Sequence, residues 1–561
     1  MRLTRLASRF GSRTTAARDL RAGVVLGVES VPDGLAAGLL AGVNPVHGLY
    51  AYLAGTLAGS MATSSALMTV QATGAMAVLV SDVPLAQDPR TAGTALATLS
   101  ALTGVIMLAL GLARLGGLVR FVPHAVLVGF VNAVAVNIVL GQLDSFTGYD
   151  TDGDNRIART INALAHLASF HWSTVAVGAV TVALVLVLER TVLGPLGMVV
   201  AVAATSAATA VLHLDGVRLI SDIADVPNSL PLPELPSLAQ AGSLLVPALS
   251  LAFVGLVQGA AISGSIPNPD GDYPDASGDF RGQGVANIAA GLFQGMPVGG
   301  SMSATALARA AGARTALANL AAAVVMALCV LVAGRAIGFI AMPALAALLM
   351  LVGIRTFKPQ DVVTVWRTGP TQAAVLGMTF ALTLLIPLQY AVLAGVALAV
   401  VLYVARQSNK VVVRRWTFAA DSPWPVEGDA PAVLEPGEVL VLVPYGSLFF
   451  AAAPVFEAQL PSVPAACPGS VVILRLRGKD ELGSTFIRAL TGYAERLDAA
   501  GAALVLVGAG ERVMSQLEGT GALDLIGRNR VYPASERVGE SLSDAMAAAT
   551  AWSALQRTEE P

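Results

Sequence analysis

The sequence predicts a polytopic α-helical membrane protein followed by a soluble α/β domain. Three observations carry that prediction. Of the 561 residues, 55% are hydrophobic and only 13% are charged, against roughly 25% charged in ordinary soluble domains. Before position 410 the apolar residues gather into stretches of about twenty residues, long enough to cross a bilayer, with short polar loops between them. Beyond about Val433, short β-branched runs alternate with a helical stretch, as in a compact α/β domain.

The N-terminal segment, residues 1–20, holds Arg2, Arg5, Arg9, Arg13 and Arg18, with Arg21 just beyond it, and reads as a cytoplasmic flank. It lacks a short apolar core followed by a small-residue cleavage site, so it does not read as a signal peptide. Full spans are expected near 21–42, 46–64, 92–113, 121–143, 171–190, 196–213, 243–264, 316–334, 337–355, 370–386 and 388–405. Shorter segments near 70–82, 283–295 and 300–310 bring the total to about fourteen within a transmembrane domain of residues 21–408. The N-terminal arginines and Lys410, Arg414 and Arg415 flank the first and last spans, which puts both ends in the cytoplasm and requires an even number of spans. Seven plus seven spans would form inverted repeats and place two short, broken segments at matching positions, a pointer to a substrate site at the midplane.

Residues 409–435 contain Asp421-Ser422-Pro423-Trp424-Pro425 and are expected to act as a Pro-rich, semi-rigid linker. The soluble domain follows at 436–552, before a tail at 553–561. Its strands are Val439–Val443, Val471–Leu474 and Leu504–Val507; one helix runs from Thr485 to Ala500 and a last one from Ser541 to Ala549. The net charge of -3 gives no support for a nucleic-acid partner. Cys329 lies in an apolar span and Cys467 in the soluble domain, so neither a disulfide nor a metal site is expected. His124, His166, His171 and His213 are scattered near span ends without metal-ligand spacing. No nucleophile–base pair stands out, so an enzyme is the least favoured class, and no cofactor is implied.

The chain is organised around Ser250 to Ser303. This stretch holds an apolar span with Gln258, the polar loop Asn268-Pro269-Asp270-Gly271-Asp272, and a closing Met296-Pro297-Val298-Gly299-Gly300-Ser301-Met302-Ser303 too rich in Gly, Ser and Pro for a clean membrane helix. The acidic loop lacks the spacing of a calcium-binding loop. Broken helices expose N-terminal N–H groups and a positive dipole end, which can bind an anion inside the bilayer.

Three motifs resemble the sulfate permease (SulP) family of anion transporters, the solute-carrier 26 group. The first is Val31-Pro32-Asp33-Gly34-Leu35 through Pro45-Val46-His47-Gly48-Leu49-Tyr50. The second is Gly282-Gln283-Gly284-Val285-Ala286-Asn287, followed by Pro297 to Ser303 and Gly312-Ala313-Arg314-Thr315. The third is Leu448-Phe449-Phe450 with Gly483-Ser484-Thr485, similar to the opening and the phosphorylatable turn of a STAS domain. The resemblance implies a UraA-like architecture of core and gate, fourteen spans in two inverted repeats, a homodimer, and a cytoplasmic STAS domain in a multi-pass protein of the cytoplasmic membrane. It also implies an anion held between the N-termini of the third and tenth spans. On this chain those are Gln71, Thr73 and Gly74, and Gly300, Ser301, Met302 and Ser303, with Gln258 beside them.

Each candidate has a plainer alternative. The small residues around Thr73 suit close helix packing as well as an approaching ion. Gln258 stands where many relatives carry a Glu or Asp associated with proton or sodium coupling. It cannot ionise, and it can equally serve as an interhelical hydrogen-bond former. Ala304 replaces an arginine common in the family, so weaker affinity for divalent anions such as sulfate is expected. Glu29 and Asp33 are intramembrane acids and thus coupling candidates, although Glu29 also lies near Arg21 and the cytoplasmic end. His47 and Tyr50 read as packing residues. Glu189-Arg190 and Arg355 with Lys358 read as interfacial anchors. In the STAS turn Ser484 is expected to be an N-cap rather than a phosphorylation site, since Gly483 and Phe486 depart from the family pattern. The sequence therefore points to a secondary transporter of small anions, working as a symporter or an exchanger. A membrane sensor signalling through the STAS domain and a nucleobase symporter of the same fold are the alternatives.

Overall fold

The computed structural model describes residues 13–117, 123–153, 155–212, 214–268, 270–388, 411–419, 424–446, 448 and 452–558, with scattered positions between 390 and 405. Arg2, Arg5, Arg9, His213, Lys410, Phe449, Phe450 and nearly half of the expected last span lie outside the described residues. The chain divides into two compact units, Met1–Ala399 and Val400–Pro561.

In the first unit the long elements are α1 (Arg13–Leu40), α2 (Pro45–Ala62), β1 (Thr69–Gln71), α3 (Gly74–Ser81), α4 (Ala92–Leu112), α5 (His124–Leu140), α6 (Trp172–Leu188) and α7 (Leu196–Leu212). The second half supplies α8 (Ala241–Ser265), α9 (Ala276–Leu292), β2 (Gly299–Ser301), α10 (Met302–Ala310), α11 (Leu317–Ile337), α12 (Met342–Thr356) and α13 (Pro370–Leu385). Among the described residues, six helices are long and apolar enough to cross a membrane, and α6, α7 and α13 are shorter apolar helices. Their packing defines two bundles. α1 packs on α2 and α11, α4 on α8 and α9, and α9 on α2; α5 packs on α12 and α13, and α6 on α7 and α12. Small residues set these distances. A Cβ on Gly48 of α2 would come within 2.1 Å of the Gly34 carbonyl of α1, so the two backbones touch only because glycine is there.

α9 corrects one expectation: it is not a short segment starting near 283 but begins at Ala276. Its first turn is polar, and hydropathy therefore reads it as loop. Asp275 caps it by accepting from the Ser277 and Gly278 N–H groups. Asp279, buried one turn on, accepts from Ser64 Oγ, the Ser65 N–H and Ser263 Oγ. Asn268, read as loop filler, holds the same segment through the Ala66 N–H and the Ser64 carbonyl. Glu189 and Arg355 form a two-pronged ion pair between the ends of α6 and α12.

The second unit is a six-stranded sheet ordered β4-β3-β5-β6-β7-β8, with β3 Val412–Phe418, β4 Pro425–Asp429, β5 Val439–Tyr445, β6 Val471–Arg475, β7 Ala503–Ala509 and β8 Val531–Pro533. β5 to β8 are parallel, and β3 is antiparallel to both β4 and β5. The expected linker is thus in part strand. Val412–Phe418 is bonded into the sheet, and β4 sits at the edge, where Pro425 interrupts no ladder on its outer side. The central strands are apolar on both faces because both are covered. Leu440, Leu442, Leu474 and Leu504 pack under α14 (Ser484–Ala499), while Val441, Ile473 and Val505 pack under α15 (Glu540–Thr558).

Ser484 is not the N-cap. Gly483 takes that position in extended conformation, so the helix begins at Ser484 and no side chain caps it. Phe486, fully buried, lies against Phe456 with ring centroids 4.5 Å apart. Phe486→Ala is expected to cost this unit roughly 3–5 kcal/mol, readable as a lowered denaturant midpoint of residues 400–561.

A candidate anion site between two half-helices

Two short strands stand at the centre of the first unit, one from each half of the chain. β1 and β2 pair antiparallel, with Thr69 opposite Ser301, Val70 opposite Gly300 and Gln71 opposite Gly299. α3 leaves one end of this ribbon and α10 the other, so their N-termini face each other across it. Neither helix could span a bilayer alone. At eight and nine residues they are each about 12–14 Å long.

Both helices are capped by a hydroxyl residue. Thr73 Oγ1 accepts from the Met76 N–H at 3.4 Å, and Ser301 Oγ accepts from the Ala304 N–H at 3.3 Å. The remaining first-turn N–H groups have no intrahelical acceptor and give each end its partial positive charge. Thr73 also donates to Gln258 Oε1 of α8 at 3.0 Å. That bond turns the Gln258 carboxamide so that its NH2 group is left as a donor. Ser303 lies beside Ser301, their hydroxyls 3.2 Å apart, and Met302 is 44% exposed. Gly74 has its Cα face against Ile138 of α5. Gln258 therefore does form an interhelical hydrogen bond, and it does so at the same place as the two helix ends.

Gln71 is placed differently from the other candidates. It lies in β1 rather than on the helix, is 1% exposed, and donates from Nε2 to Ser30 Oγ of α1. Glu29 and Asp33 flank Ser30 one turn apart on α1, and the Tyr52 hydroxyl donates to Asp33 Oδ2 at 2.7 Å. Glu29, Ser30 and Asp33 thus lie within one turn of α1, where Ser30 holds Gln71.

The residues holding the ribbon are ones that sequence reasoning assigned no task. Asn287 of α9 accepts from the Val298 N–H at 2.9 Å and donates to the Val298 carbonyl at 2.6 Å. Gln283 Oε1 accepts from the Gly300 N–H at 3.0 Å. Asn319 of α11 accepts from Thr69 Oγ1 and donates to the Met68 carbonyl, and Thr305 Oγ1 accepts from the Thr69 N–H. The available signal was their chemistry, since amides inside apolar helices must find partners. α8 can approach β2 because Gly259 has no side chain; a Cβ there would sit 2.1 Å from Gln283 Nε2. His47 and Tyr50 have structural contacts, to the carbonyls of Gln294 and Ser229.

Comparison with known proteins agrees with this architecture. The model of the sulfate permease family matches residues 17–379 and that of the STAS domain residues 430–538. The chain is 28% identical over 536 residues to "Probable sulfate transporter Rv1739c" of Mycobacterium tuberculosis, covering 92% of this chain and 93% of that one. It is 25% identical over 580 residues to "Low affinity sulfate transporter 3" of Stylosanthes hamata, covering 96% and 89%. Among solved structures it is similar to SLC26A9, with a TM-score of 0.85 at 19% identity over 100% of this chain and 94% of the other. It is also similar to the transmembrane domain of the cyanobacterial bicarbonate transporter BicA, with a TM-score of 0.58 at 23% identity over 69% and 98%. With its paired half-helices, its UraA-like helical core and its C-terminal STAS domain, the chain belongs to the sulfate permease family.

Proposed function

We propose that the protein carries a small anion across the cytoplasmic membrane, holding it between the N-termini of α3 and α10. The substrate class is inorganic or carboxylate: bicarbonate, sulfate, chloride or a C4-dicarboxylate. The observation that carries this reading is the β1–β2 ribbon, from whose opposite ends the two capped half-helices start. The helix ends supply a positive field, and the hydroxyls of Ser301 and Ser303 with the Gln258 NH2 supply neutral donors. Ala304 contributes no cation, which favours singly charged anions over divalent ones. The relatives named as sulfate transporters and the structural likeness to a bicarbonate transporter support the same class.

Movement would be elevator-like, α1–α4 and α8–α11 sliding as one body against α5–α7, α12 and α13. With Gln258 unable to ionise, the Glu29–Asp33 pair is the candidate for proton coupling.

The test is radiolabelled uptake into proteoliposomes of bicarbonate, sulfate, fumarate and chloride, each with and without an inward proton gradient. Uptake that rises with the gradient and loses that dependence in Glu29→Gln would establish proton symport. Uptake indifferent to the gradient but stimulated by internal anion would establish exchange. No uptake of any anion would refute transport and favour a sensor displaying the STAS domain. Gln258→Glu is expected to lower uptake at least about tenfold at neutral pH, because a carboxylate then faces the anion. Acidification should restore it, since protonation removes the repelling charge.

A further inference from the structure

α3 is gripped at both ends, and only its N-terminal end belongs to the anion site. At its C-terminal end Ser81 and Asp82 meet two groups from outside its own bundle. Arg156 opens the short helix Arg156–Ala165, which packs on α5 and α13. Its guanidinium donates to Ser81 Oγ and lies 3.4 Å from Asp82 Oδ1. The other carboxylate oxygen, Asp82 Oδ2, accepts the Leu388 backbone N–H at 2.8 Å, just beyond α13. The side chains of Arg156 and Asp82 are only 20% and 18% exposed. The cation also sits at the negative end of α3, where the helix dipole favours it.

The opposite face is different. α4 starts shortly after α3 ends and runs back across the unit, so its C-terminus at Leu112 marks the face away from Asp82. There a cavity of about 740 Å³ is lined mainly by residues around the ends of α4 and α8 and the start of α9, among them Arg114, Val257 and Ala261, and reaches the other bundle at Leu127 of α5. One face is thus tied by charge and hydrogen bonds across the bundle boundary, while at the other a cavity reaches that boundary.

We propose that Arg156, Asp82 and the Leu388 N–H form a latch that closes the Asp82 face while the cavity face is open. Release of the latch is then the step that lets α3 carry its anion past the α5–α13 bundle. When the bundles part, both charges regain water, so the latch biases the equilibrium without locking it. The inference rests on the moving-bundle reading of the preceding section.

Two-sided thiol labelling tests it, in proteoliposomes and in a Cys329→Ser, Cys467→Ser background. The reporter is Met302→Cys at the anion site, probed with a membrane-impermeant maleimide. With the latch intact, labelling comes from the cavity side. Asp82→Asn and Arg156→Gln are each expected to raise labelling from the Asp82 side about fivefold, the change that a roughly tenfold shift in the ratio of two states produces when the Asp82-open state starts at about a tenth of the population. Arg156→Lys should stay near the parent. A disulfide between Asp82→Cys and Leu388→Cys should stop flux and keep labelling on the cavity side, and reductant should restore flux. Unchanged sidedness in both charge variants, or full flux through the cross-linked protein, overturns the latch. A parent chain without flux sinks the transport reading instead, and labelling still decides the latch.

Discussion

Ser301→Glu is expected to lower anion flux at least about a hundredfold while the protein still folds. Ser301 is the N-cap of α10, its hydroxyl bonded to the Ala304 N–H and beside that of Ser303. Its backbone is in β2, so the side chain can change without removing the ribbon's hydrogen bonds. A glutamate there brings a full negative charge into a site whose positive field comes from helix dipoles, each equivalent to roughly half an elementary charge. The carboxylate would satisfy the α10 N-terminus itself and repel the substrate, since like charges at close range in a poorly solvated site cost several kcal/mol. Ser301→Ala separates the effects. It removes the cap, worth roughly 1 kcal/mol, but adds no charge, and is expected to lower flux only severalfold. Initial-rate uptake by the two variants and the parent, normalised to reconstituted protein, makes the comparison. Flux by Ser301→Glu within threefold of the parent would place the anion elsewhere.

The second large effect is expected at Asn287, which binds nothing but the protein. Fully buried, it satisfies both the N–H and the carbonyl of Val298, and its Nδ2 reaches the Gln283 carbonyl as well. Asn287→Ala leaves the two Val298 groups without partners inside the bundle, at roughly 1–3 kcal/mol each, and loosens the approach to β2. Asn287→Asp keeps an acceptor for the Val298 N–H but sets a carboxylate against the Val298 carbonyl, and should be at least as harmful. Both variants are expected to unfold at clearly lower temperature in detergent, followed by the loss of the monodisperse peak in size-exclusion chromatography, and to show little uptake. A thermally normal Asn287→Ala would mean that β2 does not depend on this side chain.

Much of the architecture was legible along the chain. Spans of about twenty apolar residues predict α2, α4 and α8 to within a few residues, because a bilayer leaves helices almost no alternative, whereas α1 begins eight residues before its expected span. The α9 start was missed because Ala276–Arg281 is polar, and its polar groups are buried by partners from the first half of the chain: Ser64, Ser65 and Gly116. β3 and β4 were read as linker because prolines and charges, tolerated at a sheet edge, look the same in a loop. The cap at Gly483 rather than Ser484 turned on a one-residue difference in where the helix starts.

The candidate site divides the same way. That Thr73, Ser301 and Ser303 would stand at helix starts follows from small and hydroxyl residues interrupting apolar segments, a local property of the chain. That the two starts face each other, that Gln258 turns its amide with Thr73 as donor, and that Gln71 points away into α1 could not be read locally. β2 is Gly-Gly-Ser, with no strand propensity of its own, and exists as a strand because β1 and the Gln283 amide claim its backbone while Asn287 holds Val298 just before it. By itself, then, the sequence determined that a helical membrane part precedes a domain folding in water and where small and hydroxyl residues break the apolar segments, since those are questions of transfer free energy and local propensity. Only the tertiary structure decided which broken ends meet and which buried amides hold them, because those pairings join residues from opposite halves of the chain and depend on unsatisfied polar groups finding one another.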